Sequence, residues 1–174
     1  YYDDPLLSNL IRVTPFGVPG TPPRPGPPVL RGVVSGIGDD DPVLLFGGVY
    51  EWHDPMTLLD AVDILLAEFP TLRVVFTASA HPASTPQETL AAVTERARTT
   101  GWLDRHVFVV PWFPYDDRER LYLESTIGVV THHQRFETEV SMRTRILDFL
   151  WAGLPVVVTE GGGVDRLLDH HGMG

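Results

Sequence analysis

Read from residue 29 onwards, the chain alternates between short unbroken apolar runs and longer stretches with a helical period. The apolar runs fall at residues 43–46, 72–77, 107–110, 127–131 and 154–159. Each is rich in Val, Ile, Leu or Phe, and each is short enough for a strand. Between them lie segments in which apolar positions recur every three or four residues. In residues 56–69, Leu58, Val62, Leu65 and Phe69 share one face, Asp60 and Asp63 oppose it, and Pro70 ends the pattern. Residues 87–100 read as an exposed helix with Pro86 before it and Gly101 after it. Further helices are predicted at 116–124, where Asp116 and Asp117 suit the positive end, at 141–151 with Gly153 beyond it, and at 164–170. Unbroken apolar strands alternating with helices predict an α/β fold: a Rossmann-like parallel sheet with helices on both faces. No short repeat period is present.

Residues 1–28 differ. Pro15, Pro19, Pro22, Pro23, Pro25, Pro27 and Pro28 crowd one stretch with three glycines. Proline fixes φ and removes donors, so this is expected to be an extended linker, and 29–174 the Rossmann-like domain. The run Leu10-Ile11-Arg12-Val13 is the one place where an edge strand is foreseen. The start at Tyr1 and the stop at Gly174, just after a helical pattern, are read as the ends of a fragment of a longer chain.

Composition narrows the function. Thirteen basic and twenty-three acidic residues give a formal net charge of −10. A nucleic-acid surface needs a basic stripe, and an anionic lipid surface attracts one, so neither partner is expected here. The chain has no cysteine, which removes disulfides and thiolate metal sites and fits a reducing compartment; a cytoplasmic location is expected. No apolar run approaches the roughly 20 residues that span a bilayer.

In an open parallel sheet, ligands bind beyond the carboxyl ends of the strands. The loops 47–55, 78–86, 111–115, 132–140 and 160–163 therefore belong to one rim. Asp39-Asp40-Asp41 precedes a strand, so it reads as a solvated turn and not as a metal site. Gly47-Gly48 follows a strand directly, where glycine either lets backbone approach a phosphate or simply makes a tight turn. A helix over 141–151 would align Ser141, Thr144, Arg145 and Asp148 on one stripe, with Met142, Ile146, Phe149 and Leu150 opposite. Such a stripe would hold sugar hydroxyls through Asp148 and a phosphate through Ser141 and Arg145; otherwise it is an exposed face with an Arg145–Asp148 pair. Glu137 and Glu139 suit the helix macrodipole in any case. Glu160-Gly161-Gly162-Gly163 is an anion nest or a mobile turn. The pairs His132-His133 and His170-His171 are adjacent in sequence, a poor arrangement for one metal, and no metal site is expected. Neither a Walker A loop nor a nucleophile elbow occurs.

The order of these segments resembles the C-terminal domain of the "group 1" GT-B glycosyltransferases. Thr14-Pro15-Phe16-Gly17-Val18-Pro19 resembles the family's incoming turn, and Leu45-Phe46-Gly47-Gly48 its strand ending in glycine. Asp54-Pro55-Met56-Thr57-Leu58-Leu59-Asp60-Ala61 is similar to its first helix, and Pro70-Thr71-Leu72-Arg73-Val74-Val75 to its second strand. Ala152-Gly153-Leu154-Pro155-Val156-Val157 is the most specific motif. The wording of residues 137–148 resembles a bacterial subgroup linked to cell-surface polysaccharides.

The resemblance implies a nucleotide-diphosphate sugar as donor, transfer of the sugar without a metal or other cofactor, and an acceptor-binding half outside this chain. Peripheral membrane association is expected through that half alone. Asp148 stands where the family has the Glu that holds ribose hydroxyls. Glu137 is the candidate catalytic residue, with Glu139 beside it among the donor-binding positions; the family's spacing falls on Val140, so neither aligns directly. Gly48 and His53 stand where the family has a diphosphate-binding Arg and Lys. Arg143, Arg145 or a protonated His53 would supply that charge instead. Trp112 and Phe113 stand where the nucleobase is placed. The donor-binding set is thus Gly47, Gly48, His53, Trp112, Glu139, Ser141, Arg143, Arg145 and Asp148. Two other readings are a non-catalytic binding protein on the same fold and a sugar-nucleotide epimerase.

Overall fold

The computed structural model describes residues 12, 14, 16–78 and 88–172, without the side chains of 165–167. Five strands form one sheet: β1 (Val43–Phe46), β2 (Arg73–Thr77), β3 (Val107–Val110), β4 (Ile127–Val130) and β5 (Val156–Val158). Their order is β3-β2-β1-β4-β5, and every pairing is parallel. Among the described residues six α-helices accompany them: α1 (Pro55–Leu65), α2 (Glu88–Thr99), α3 (Arg118–Leu123), α4 (Phe136–Val140), α5 (Thr144–Trp151) and α6 (Gly163–His171). A 3-10 turn, Tyr115–Asp117, leads into α3.

The sheet is covered on both faces, as the unbroken apolar runs predict. Side chains alternate along a strand, so β1 serves two cores. Leu44 and Phe46 join an apolar cluster with Leu58, Leu59 and Val62 of α1 and Val93 and Ala97 of α2. Val43 and Leu45 join another with Leu121 and Tyr122 of α3, Ile146 and Phe149 of α5, and Val164 and Leu168 of α6. The chain winds outward from β1 to β3, returns to the other side of β1, and winds outward again. The strand order therefore reverses between β1 and β4, and the crevice at their carboxyl ends is where such folds hold ligands.

Element ends differ from the sequence expectation in informative ways. Helix α1 starts at Pro55 behind Asp54, whose carboxylate accepts from the Thr57 N–H (3.2 Å) and hydroxyl (2.6 Å). It stops at Leu65; residues 66–69 close in turns, and Phe69 is half exposed instead of joining the core. Pro70 disfavours helical geometry in the residue before it. The expected helix 141–151 begins only at Thr144, as α5; the short α4 stands before it in the expected loop 132–140, and between them Ser141 is extended (φ −76°, ψ 141°). The break is closed by Arg143, whose buried guanidinium donates to the Thr138 and Thr159 carbonyls.

Residues 16–28 form no helix or strand and are mostly exposed. From Val29 the chain joins the body. The Glu124 carboxylate accepts the N–H groups of Val29 (2.6 Å), Leu30 (2.9 Å) and Arg31 (2.7 Å), and Leu30 is fully buried. Asp41 pairs with Arg73 at 3.0 Å before β1, at the end of the sheet away from the crevice, so the Asp39-Asp40-Asp41 run is a structural turn. Apart from Arg12, the foreseen edge strand at 10–13 lies outside the described residues, as does most of the loop 78–86.

Candidate functional site

The crevice at the β1–β4 switch point opens into a cleft of about 640 Å³. Its floor comes from the loop after β1, which is zipped to the residues after β4. The Asp54 N–H donates to the Thr131 carbonyl (3.0 Å), the Thr131 hydroxyl donates to the Asp54 carbonyl (2.6 Å), and His53 and His132 form a bridge. Tyr50 and Trp52 stack at 4.7 Å with their planes 3° apart. One wall is α5 with Thr144, Arg145 and Asp148, reached from α4 through Glu137, Ser141 and Met142. The other is built by Trp112, Phe113 and Tyr115 after β3, with Arg118 and Tyr122 of α3. A second hollow of about 480 Å³ continues past Tyr115, Arg118, Thr144 and Asp148 to Phe16, Gly17 and Pro19.

Eight of the ten residues expected at the site line this cleft: Gly47, His53, Trp112, Glu137, Ser141, Arg143, Arg145 and Asp148. Glu139 does not. On a helix, residues two apart are separated by roughly 200°, so Glu137 and Glu139 cannot share a face. Gly48 is not on the lining either; its N–H donates to the Thr77 hydroxyl at 2.6 Å and is not offered to a ligand.

The charges are arranged differently from the sequence picture. Asp148 does not pair with Arg145. It lies 3.6 Å from the Arg118 guanidinium and accepts from the Tyr122 hydroxyl at 3.4 Å. Burial raises the Tyr122 phenol above its ordinary pKa, so it stays a donor. Arg118 lies 3.7 Å over the Tyr115 ring, a cation–π contact that orients it towards Asp148. Arg143 is committed to two main-chain carbonyls, so it braces the wall instead of presenting a fork to a ligand.

His53 does not supply positive charge. Burial, aided by His132 and Arg145 nearby, holds its pKa down to about 3. Its Nδ1 accepts from the Tyr50 N–H at 3.1 Å, as a neutral ring does. His132 is likewise held to about 4, mainly by burial and then by Arg143. Both rings are neutral at pH 7.

Arg145 takes a position the sequence did not suggest. Its guanidinium lies on the Gly47-Gly48 turn. A Cβ at Gly47 would stand 3.1 Å from Nη1, and one at Gly48 would stand 3.2 Å from Nη2. Gly48 also has φ +69°, which favours glycine. The Gly161-Gly162 pair plays a similar part for the brace. A Cβ at Gly162 would meet the Ser141 and Thr138 carbonyls at 3.1 and 3.2 Å, and residues 160–163 do not line the cleft.

Sequence reasoning missed Tyr50, Trp52, Thr77, Tyr115, Arg118, Tyr122 and His132. Tyr50 and Trp52 lay in a loop already assigned to the ligand rim, and their aromatic character was the available signal. Tyr115 and Arg118 carry the i,i+3 spacing that brings side chains together at a helix start. Among the described residues no group of three or more His, Asp or Glu is placed to hold a metal, and no helix is long and apolar enough to cross a membrane.

A parallel sheet of this order with a cleft at its switch point defines an α/β domain built to bind a ligand at the carboxyl ends of its strands. The sequence pattern of the family described as "Glycosyl transferases group 1" matches residues 41–174, and the chain belongs to that family. No curated protein matches it. Solved structures share the fold. Anabaena HepE in complex with UDP-glucose is similar at 19% identity and a TM-score of 0.56, over 74% of this chain and 32% of that one. The Thermobaculum terrenum O-GlcNAc transferase, as a mutant, is similar at 20% identity and a TM-score of 0.56, over 90% and 27%. The C-terminal domain of LpcC, a glycosyl transferase group 1 family protein from Francisella tularensis, aligns over 84% and 83% at 12% identity and a TM-score of 0.53. The chain thus spans about a third of HepE but most of the isolated LpcC domain.

Proposed function

We propose that the cleft binds the nucleotide-diphosphate part of an activated sugar and that the protein transfers the sugar to an acceptor. The observation that carries this reading is the lining of the switch-point cleft: a carboxylate, a guanidinium and aromatic faces converge there in a family of glycosyl transferases. Asp148 accepts from ribose hydroxyls, held in place by Arg118 and Tyr122. Trp112, half exposed on the opposite wall, offers a face to the base. Glu137 stands near the sugar. In the transfer the bond from the sugar C1 to the diphosphate oxygen breaks, the acceptor oxygen bonds to C1, and the acceptor's hydroxyl proton passes to the departing diphosphate. Charge grows on the departing diphosphate, so cationic groups aimed at it lower the barrier. No resident metal or other cofactor is assigned to this step.

The acceptor is proposed to bind a further half of the protein outside this chain, as the coverage of HepE suggests; the 174 residues alone then transfer little or nothing. A role in bacterial cell-surface polysaccharide synthesis, at the cytoplasmic side of the membrane, is proposed from the wording of residues 137–148. A non-catalytic binding protein is the second reading. It is favoured by Gly48 and the neutral His53, which supply no fixed charge.

Calorimetric titration with UDP, GDP, ADP and dTDP tests the binding, with Asp148→Asn alongside. One nucleotide is expected to bind, and the variant to bind it at least about tenfold more weakly, the loss of one charge-assisted contact. No binding of any of the four by the folded chain would overturn the reading. Product analysis with a sugar nucleotide and acceptor separates transfer from mere binding.

A further inference from the structure

Of the five arginines and histidines that line the cleft, four are accounted for. Arg143 braces main-chain carbonyls, Arg118 lies over the Tyr115 ring and faces Asp148, and His53 and His132 are neutral. Arg145 is different. Among the described residues no carboxylate lies within ion-pair distance of it. Its hydrogen-bond partner is the Tyr122 side chain, and its terminal nitrogens rest on the Gly47-Gly48 turn. A half-buried guanidinium with no counter-ion carries a desolvation cost that an anion would offset. It also lines the cleft, so an anion can reach it.

The glycines sharpen the point. Their backbone is not what a ligand would meet, because the Gly48 N–H is occupied by Thr77. What they provide is the absence of two Cβ atoms where the guanidinium lies. The turn is shaped to seat a flat cation at the mouth of the switch point, close to Asp148 of the same helix. We infer that Arg145, seated on Gly47-Gly48, is the anchor for the diphosphate of the ligand, its planar fork meeting two phosphate oxygens. The inference rests on the donor-binding reading above, and names a residue for the charge that Gly48 and His53 lack.

The test is a titration of the intact chain with the pairs UMP and UDP, GMP and GDP, AMP and ADP, dTMP and dTDP, and separately with inorganic pyrophosphate. The proteins are the natural chain, Arg145→Gln, Arg145→Lys and Gly47→Ala. The natural chain is expected to prefer a diphosphate over its monophosphate by about tenfold to a hundredfold, the range of a bidentate charge-assisted contact. Arg145→Gln should bring that preference down to about twofold, leave monophosphate affinity within about twofold, and abolish pyrophosphate binding. Arg145→Lys should fall between, since an ammonium is a point charge. Gly47→Ala keeps the arginine but displaces it, and should also lower the preference. Circular dichroism checks the fold of each, and Arg145→Lys carries the test if the Gln variant does not fold. An unchanged preference in the Arg145 variants overturns the inference. Pyrophosphate bound through Arg145 with no nucleotide bound would sink the donor reading and leave the anion seat standing. No binding of either would sink both.

Discussion

Gly128 sits in the middle of β4 with the ring of Phe149 directly above it, and this contact sets how closely α5 approaches the sheet. A Cβ at Gly128 would stand 2.6 Å from Cε2 of that ring and 2.8 Å from Cγ, with Cδ2 nearer still. Carbon atoms in contact prefer about 3.5–4.0 Å, so Gly128→Ala requires a displacement of roughly 1 Å or more. Phe149 is fully buried and stands with Tyr122 at 5.3 Å in an edge-to-face pair, so the ring has no free direction. Overpacking of this kind costs about 1–3 kcal/mol, and the single methyl should fall at the upper end because ring and strand are both fixed. The displacement is passed to α5, which carries Arg145 and Asp148, so ligand affinity should fall as well although no cleft residue has changed. Urea denaturation of Gly128→Ala, Phe149→Leu and the double variant measures the effect. Leucine at 149 leaves space for the new methyl, so the double variant should be more stable than the sum of the two singles by about 1–2 kcal/mol. Additive losses, or a Gly128→Ala loss below about 0.5 kcal/mol, would show that the helix is not held at the distance the ring imposes.

The remaining predictions concern the anchor of the N-terminal segment and the buried histidines. Glu124→Ala strands the N–H groups of Val29, Leu30 and Arg31 and should cost about 2–4 kcal/mol in urea denaturation; a loss below about 0.5 kcal/mol would mean that water replaces the carboxylate without penalty. His53 and His132 titrate in the native state at about 3 and about 4, below their ordinary value of 6.5. The unfolded chain therefore takes up these protons first, and stability falls as pH drops from about 6.5 towards 4 and then 3, with His53 alone accounting for roughly 2 kcal/mol at pH 5. His53→Gln keeps an acceptor for the Tyr50 N–H but removes the proton, so the slope of unfolding free energy against pH between 4 and 6 should flatten by about one proton. An unchanged slope would place the ring in solvent.

What could be read from the sequence and what could not divides along one physical line. Buried parallel strands must be apolar on both faces, so β1 to β5 announce themselves as unbroken runs, and the alternation with helices gives the sheet. Position relative to those strands then picks out the rim, and most of the expected residues do line the cleft. The α4–α5 break stayed hidden because five residues are too few to show a helical period, and because Met142 fits the apolar stripe of α5 although it is half exposed and lies before that helix. The partners of the charged groups were hidden for a different reason. Arg143 and Arg145 are two residues apart in sequence and both looked like ligand-binding charges. One is taken up by carbonyls from α4 and the residue after β5, and the other by a turn after β1. Only the crossing of three distant segments separates the two. The same crossing shows what lies against Gly47-Gly48. In the sequence the pair fits either a turn or a phosphate cradle; in the fold its missing side chains are occupied by Arg145, and its backbone donor by Thr77. A chain that placed an arginine or lysine on that turn would have its charge on β1. This one carries it on α5, which also bears Asp148, so any movement of α5 moves the carboxylate and the guanidinium together.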